Sequence, residues 1–196
     1  MITIKSGMSY AMLSILLLTN INTVSAETLT YNYIGAGFNS VFLDKNDEIH
    51  LGFAILASKK LSADLYIRGQ YGQVTKEIVD TDVSLHELKL VAGYIYKLTN
   101  STDVNIELGY VSDQLSFRSI NADDDGYLVA VKVRSQLSSS VVISGGLASI
   151  ELSDDRYIEV VAELNYALTD DIDFIVNLSH SELKPYSGLF GIQYKF

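Results

Sequence analysis

The sequence contains no cysteine, which excludes disulfide bridges and thiolate metal sites. Long apolar runs are missing as well. Outside the N-terminus none exceeds five residues, as in Phe53-Ala54-Ile55-Leu56-Ala57 and Tyr127-Leu128-Val129-Ala130-Val131, far short of the ~20 that a membrane-spanning helix needs. A chain of this kind crosses a membrane only as a closed β-barrel, the other structure that satisfies every backbone polar group in lipid. Basic residues are scarce: 14 Lys and Arg stand against 24 Asp and Glu, a formal charge of −10. That balance argues against nucleic acid or anionic lipid as an electrostatic partner.

What the sequence does have begins with an export signal. Lys5 gives a positive start, the largely apolar stretch 11–18 follows, and Val24-Ser25-Ala26 offers small residues for cleavage. Residues 1–26 are therefore expected to be a signal peptide and 27–196 a single mature domain. From there on, alternation with a period of two dominates, broken by polar turns, which is the pattern of strands. Ten strands are expected, over about 28–42, 49–57, 61–74, 85–97, 102–117, 126–137, 140–152, 156–168, 171–183 and 186–196, with eight as the alternative if one hairpin is miscut.

The connectors alternate between two kinds. Ala57-Ser58-Lys59-Lys60-Leu61, Leu98-Thr99-Asn100-Ser101-Thr102, Leu137-Ser138-Ser139-Ser140 and Leu168-Thr169-Asp170-Asp171 form a loose repeat of a small or apolar residue followed by a tight polar turn. The other five, near 43–48, 75–84, 118–125, 153–156 and 182–185, are longer on average and carry twelve Asp or Glu against five Lys or Arg. Membrane barrels place short turns in the periplasm and longer loops outside, so the acidic end is expected to be extracellular and both termini periplasmic.

Alternation alone does not say which face points inward, and a soluble barrel or lipocalin would bury the apolar set. The aromatics decide it. Tyr94, Tyr96, Tyr166, Tyr194 and Phe196 fall at one set of strand ends, and Tyr71, Phe117, Tyr127, Tyr157 and Tyr186 near the other, two girdles flanking an aliphatic band as a bilayer requires. The apolar set (Val104, Ile106, Leu108 and Tyr110; Ile158, Val160, Ala162 and Leu164) then faces lipid. The facing of the glycine-rich stretches at Gly35, Gly37, Gly145 and Gly146 stays open.

Together with Tyr31-Asn32-Tyr33-Ile34-Gly35-Ala36-Gly37-Phe38 and the closing Gly191-Ile192-Gln193-Tyr194-Lys195-Phe196, this pattern resembles the small outer-membrane β-barrel proteins, the class of the OmpA transmembrane domain and porin-like barrels. The resemblance implies an all-β, antiparallel, up-and-down barrel in the outer membrane, in contact with lipid and lipopolysaccharide and monomeric. It also implies that Gly191, Tyr194 and Phe196 form the terminal signal read by the barrel-assembly machinery, although Leu189 stands where that signal is usually polar. It implies no substrate, because this fold hosts pores, enzymes, adhesins and plain structural barrels.

The wet face carries Asp64, Arg68, Glu87, Lys89, Glu107, Asp113, Lys132, Arg134, Glu159 and Glu163. Barrels of this size are nearly filled by side chains, and unpaired buried ions are heavily penalised, so a packed, salt-bridged interior is the first expectation and a narrow ion or solute channel the alternative. A rim enzyme acting on lipid A or peptides is a further alternative: His50, His86 and His180 all fall near the outer rim, and His180-Ser181 resembles the His-x-Ser of lipid A deacylases. Adjacent strand residues point to opposite faces, so His180 and Ser181 are badly placed to act as a pair. Asn121-Ala122-Asp123-Asp124-Asp125-Gly126 imitates half of a calcium loop, but Lys132 stands where the bidentate Glu belongs. It reads as a solvated turn. No cofactor, metal or catalytic residue is assigned.

Overall fold

A computed structural model describes residues 29–42, 49–77, 82–117, 120–153, 155–183 and 186–196. The expected signal peptide, the loop at 43–48 and the Phe117 side chain lie outside the described residues.

The described residues form ten strands: β1 (Tyr33–Phe42), β2 (Ile49–Lys60), β3 (Leu65–Glu77), β4 (Asp82–Lys97), β5 (Thr102–Phe117), β6 (Ile120–Ser138), β7 (Val141–Leu152), β8 (Arg156–Ala167), β9 (Ile172–His180) and β10 (Tyr186–Lys195). Each pairs antiparallel with its neighbours in sequence, and β1 pairs with β10 to close the barrel. Closure removes the edges that an open sheet would expose. The start of β1 and the end of β10 lie at the same end of the barrel as the turns 61–64, 98–101, 139–140 and 168–171.

The first expected turn is corrected, because Ala57 to Lys60 continue β2 and the chain turns at 61–64; there and at two of the other expected turns one geometry recurs. Leu61 and Ser62 donate their N–H groups to the carbonyl of Leu65, Leu98 and Thr99 to that of Thr102, and Leu168 and Thr169 to that of Ile172. The fourth turn is tighter, and β6 carries a register shift between Gln136 and Ser138 where it enters it.

Burial alternates along the strands with the apolar set outward. Ile106, Leu108, Val129, Val131, Ile158 and Leu164 are exposed, whereas Glu107, Lys132, Arg134 and Glu159 are buried. Tyr94, Tyr96, Tyr166, Tyr194 and Phe196 stand outward at the terminus end, and Tyr127 and Tyr186 outward toward the other. Tyr157 departs from the expected girdle: it is 4% exposed and faces inward, sharing the parity of Glu159 in β8. The open question about the glycines is answered by register: Gly37 shares its parity with the inward Val41, and Gly146 pairs with the buried Lys132.

The walls differ in height. β4, β5 and β6 run for 16, 16 and 19 residues, whereas β9, β10 and β1 run for 9, 10 and 10. Tyr110 and Tyr127 pair directly across β5 and β6. Beyond them, away from the termini, the outward residues turn polar: Ser112, Gln114 and Ser116 on β5, Asp123 and Asp125 on β6. The tall wall therefore projects past the apolar band. This corrects the expected acidic turn at 118–125, because Ile120 to Gly126 belong to β6, laddered to Val111–Phe117 of β5.

Candidate functional site in the barrel lumen

Every lumen charge is set in place by the inward parity of its strand. Across the middle, Arg68 of β3, Glu107 of β5, Lys132 of β6 and Glu163 of β8 form one network. Arg68 Nη2 lies 3.1 Å from Glu107 Oε2, and Arg68 Nη1 3.7 Å from Glu163 Oε1. Lys132 Nζ bridges the same two carboxylates at 3.4 and 3.3 Å. Two cations and two anions cancel, which is what a weakly hydrated interior demands of ions taken out of water. Hydrogen bonds complete the carboxylates: Tyr66 donates to Glu107 at 2.6 Å, Ser144 to Glu163 at 3.0 Å and Asn177 to Glu163 at 3.2 Å.

Two small residues make this layer possible. Tyr66, Gly93 and Glu107 sit in one row across β3, β4 and β5. A Cβ on Gly93 would lie 2.3 Å from the Tyr66 ring, so only glycine lets that ring lie across β4 and reach Glu107. Gly146, opposite Lys132, does the same for the lysine: a Cβ there would meet Lys132 Cγ at 2.7 Å.

On the side away from the termini, Lys89 Nζ sits 3.2 Å from both Glu87 and Glu159, and Glu159 also accepts from Ser179 at 2.8 Å. On the terminus side Arg134 donates to the Thr30 carbonyl at 2.6 Å and covers the Tyr31 ring at 4.8 Å. The Tyr31 hydroxyl reaches Asn105 at 2.9 Å and Asp103 at 3.1 Å, and its ring lies 4.8 Å from that of Tyr66. Asp173 accepts from Gln193 at 2.9 Å and pairs with Lys195 at 2.8 Å. Residues 29–31 thus turn into the barrel mouth instead of extending β1, with Leu29 packed against Tyr31, Tyr66 and Ile95.

A cavity of about 60 Å³ lies on each side of the central layer. The two have Arg68, Gln70, Glu107, Lys132, Asn177 and Leu189 as a common wall. Each has room for a few waters at most. Beside the charges, Val111, Leu128, Ala130, Ala148, Ile150 and Tyr157 pack into an apolar lining, Ala130 in register with Glu107 and Ala148 with Glu159.

Asp64 is not in the lumen. It is exposed in the turn 61–64, because β3 begins only at Leu65. Tyr31, Tyr66, Asp103, Asp173 and Lys195 joined the lumen unanticipated, although Tyr66 shares the parity of Arg68 and could have been assigned from it. His180 is exposed, with its ring 5.0 Å from Tyr186, whereas the adjacent Ser181 is buried. His86 Nδ1 is 2.7 Å from the Tyr71 hydroxyl on the outward face. His50 pairs in register with the inward Val41. Asp124 accepts from the Ser153 N–H at 3.0 Å and Ser153 donates to the Asp125 carbonyl, so the acidic run ties the β6 wall to the turn after β7. Of the closing residues, Gly191 faces inward against β1, while Tyr194 and Phe196 stand outward.

No protein-family model matches the sequence, and no curated protein matches it. Among solved structures, an outer membrane channel from Pseudomonas putida F1 is similar with a TM-score of 0.53 and 13% identity, over 90% of this chain and 100% of that one. Ail, the attachment invasion locus protein of Yersinia pestis, is similar with a TM-score of 0.47 and 15% identity, over 85% and 100%. The outer membrane protein OprG from Pseudomonas aeruginosa gives 0.46 and 14%, over 86% and 97%. At these identities the likeness is one of fold: the chain has the closed antiparallel barrel found in outer-membrane proteins.

Proposed function

We propose that this chain is an integral outer-membrane barrel whose lumen is closed, acting as a structural or surface-interaction barrel and not as an open pore. The observation that carries the reading is the neutral Arg68–Glu107–Lys132–Glu163 layer, which stands between the two luminal cavities. An ion crossing it would have to break charge pairs already completed by Tyr66, Ser144 and Asn177, with no net field to attract it. Membrane insertion is supported by the exposed aliphatic band between aromatic rims, since a water-facing surface so apolar would aggregate.

The acidic, tall end is assigned to the cell exterior, following residues 1–26 as a signal peptide, with lipopolysaccharide as its neighbour. Gly191, Tyr194 and Phe196 are assigned to recognition by the assembly machinery. No catalytic role is given to His180 and Ser181, whose side chains diverge. Because the chain has no cysteine, orientation is directly testable: a membrane-impermeant maleimide should label Ser153→Cys on intact cells and leave Ser62→Cys unlabelled, and the reverse would invert the assignment.

Planar-bilayer recording tests the closed lumen. The intact protein should give no resolved conductance steps, and steps at neutral pH would establish the second reading, a narrow channel. That second reading draws on one observation: the cavities are separated by a single layer of ion pairs.

A further inference from the structure

The lipid-facing wall has a broad apolar recess. It runs over β1 to β5 from the terminus-end rim to the middle of the apolar band, with a volume of about 660 Å³ that is broadly open to the surroundings. Its floor is Ala57, Gly69 and Ala92, three small outward residues on adjacent strands, and Ile34 and Leu108 stand on either side. Phe196 closes the rim, with Lys59 Nζ 4.8 Å from its ring centroid.

Gly69 differs from the luminal glycines. A Cβ on it would meet nothing nearer than Leu90 Cδ2, at an ordinary 3.4 Å, so the backbone does not require a glycine there. What the missing side chain provides is the depth of the recess. A hollow in a wall facing hydrocarbon forfeits dispersion contacts unless a chain fills it, yet any acyl chain could do so. Selectivity must therefore come from the mouth, where Lys59 is exposed beside Phe196 at the level of the headgroups. The overall acidity of the chain does not oppose this, because screening confines each charge to about 8–10 Å.

We propose that this recess is a binding site for an anionic glycerophospholipid, one acyl chain lying over Gly69 and the phosphate held by Lys59. The inference rests on the membrane reading above, whose orientation places this rim in the phospholipid leaflet.

The protein has no tryptophan, so single tryptophans report local lipid without background. Leu108→Trp reports the recess; Leu164→Trp, outward on β8 at the far side of the barrel, reports bulk lipid. Each is reconstituted in phosphatidylcholine vesicles containing increasing fractions of phosphatidylglycerol with brominated chains. Half-maximal quenching of Leu108→Trp should need about fivefold less brominated lipid than Leu164→Trp, the effect of one lysine near a phosphate. Lys59→Gln or Gly69→Leu in the Leu108→Trp background should remove the difference. Coincident curves for the two positions would overturn the proposal, as would the same preference for brominated phosphatidylcholine, or a dimer cross-linked through this face. Absence of quenching at both positions would instead remove the membrane reading, and the lipid site with it.

Discussion

The seam between β1 and β10 and the hairpin of β5 and β6 are both antiparallel ladders, held together by different means. The hairpin is covalently joined, runs through sixteen register pairs, and places polar pairs inward, Asp103 with Arg134 and Asn105 with Lys132, followed by Glu107 beside Ala130. Its outward pairs are Ile106 with Val131, Leu108 with Val129 and Tyr110 with Tyr127. The seam has ten pairs and no connection, and midway along its inner face Gly37 meets Gly191 with no side chain on either. Its grip comes from backbone approach, with Phe190, Phe38 and Phe53 aligned across β10, β1 and β2 on the lipid side. The lesson is that the register-paired charges sit where the chain itself fixes the register, and that the middle of the seam replaces them with a glycine pair in close backbone contact.

The sharpest way to break this contrast is at the seam. A Cβ on Gly191 would lie 2.3 Å from the Ala36 carbonyl oxygen and 2.7 Å from Gly37 Cα, and neither can move without opening the ladder. Gly191→Val should therefore abolish the closed barrel, read as loss of the fast-migrating folded band on unboiled gels and of strand signal in circular dichroism. A normal folded yield would show that the glycine seam has slack.

Next in size is Glu107→Ala. It leaves Arg68 and Lys132 with one shared carboxylate in a buried layer, and breaking such a pair from one side costs about 3–5 kcal/mol, measurable as a lower urea midpoint in vesicles. The same variant should show conductance steps if the layer is what closes the lumen. Tyr66→Phe removes only the 2.6 Å hydrogen bond to Glu107 and should cost roughly 1–3 kcal/mol. The smallest change is expected at the top of the tall wall. Asp124→Ala loses the contact to the exposed Ser153 N–H and should stay within about 1 kcal/mol. A larger loss there would mean that the projecting wall is braced as strongly as the lumen.

Most of the architecture was legible because a barrel strand writes its geometry into local alternation. The ten strands, their order and the two-faced burial follow from period and turn residues that each segment carries by itself. Three departures have separate causes. Tyr157 was read as an interfacial tyrosine by its position along β8, when its parity with Glu159 already placed it inward. Residues 120–126 read as a turn because three aspartates are poor strand formers. The backbone of β5 beyond Val111 needed a partner, and the ladder overrode propensity. Asp64 was placed by counting from a strand start four residues too early. The pairing of Glu107 with Arg68 and Lys132 was beyond reach, because it depends on the relative stagger of strands that are not neighbours in sequence.

The way the barrel closes has a consequence for how fast it can form. Nine of its ten interfaces join strands consecutive in sequence, hairpins that can assemble locally. The tenth brings together residues such as Ser40 and Gly188, 148 apart, and the entropy of closing so long a loop is on the order of 4 kcal/mol before any contact compensates it. Until that step the sheet exists as an open ribbon with two bare edges, β1 and β10, both apolar on one side and both able to pair with the wrong chain. The lifetime of that ribbon, more than the stability of the finished barrel, should set the fraction of chains lost to aggregation, and shielding its two edges is what any assisting factor would have to do.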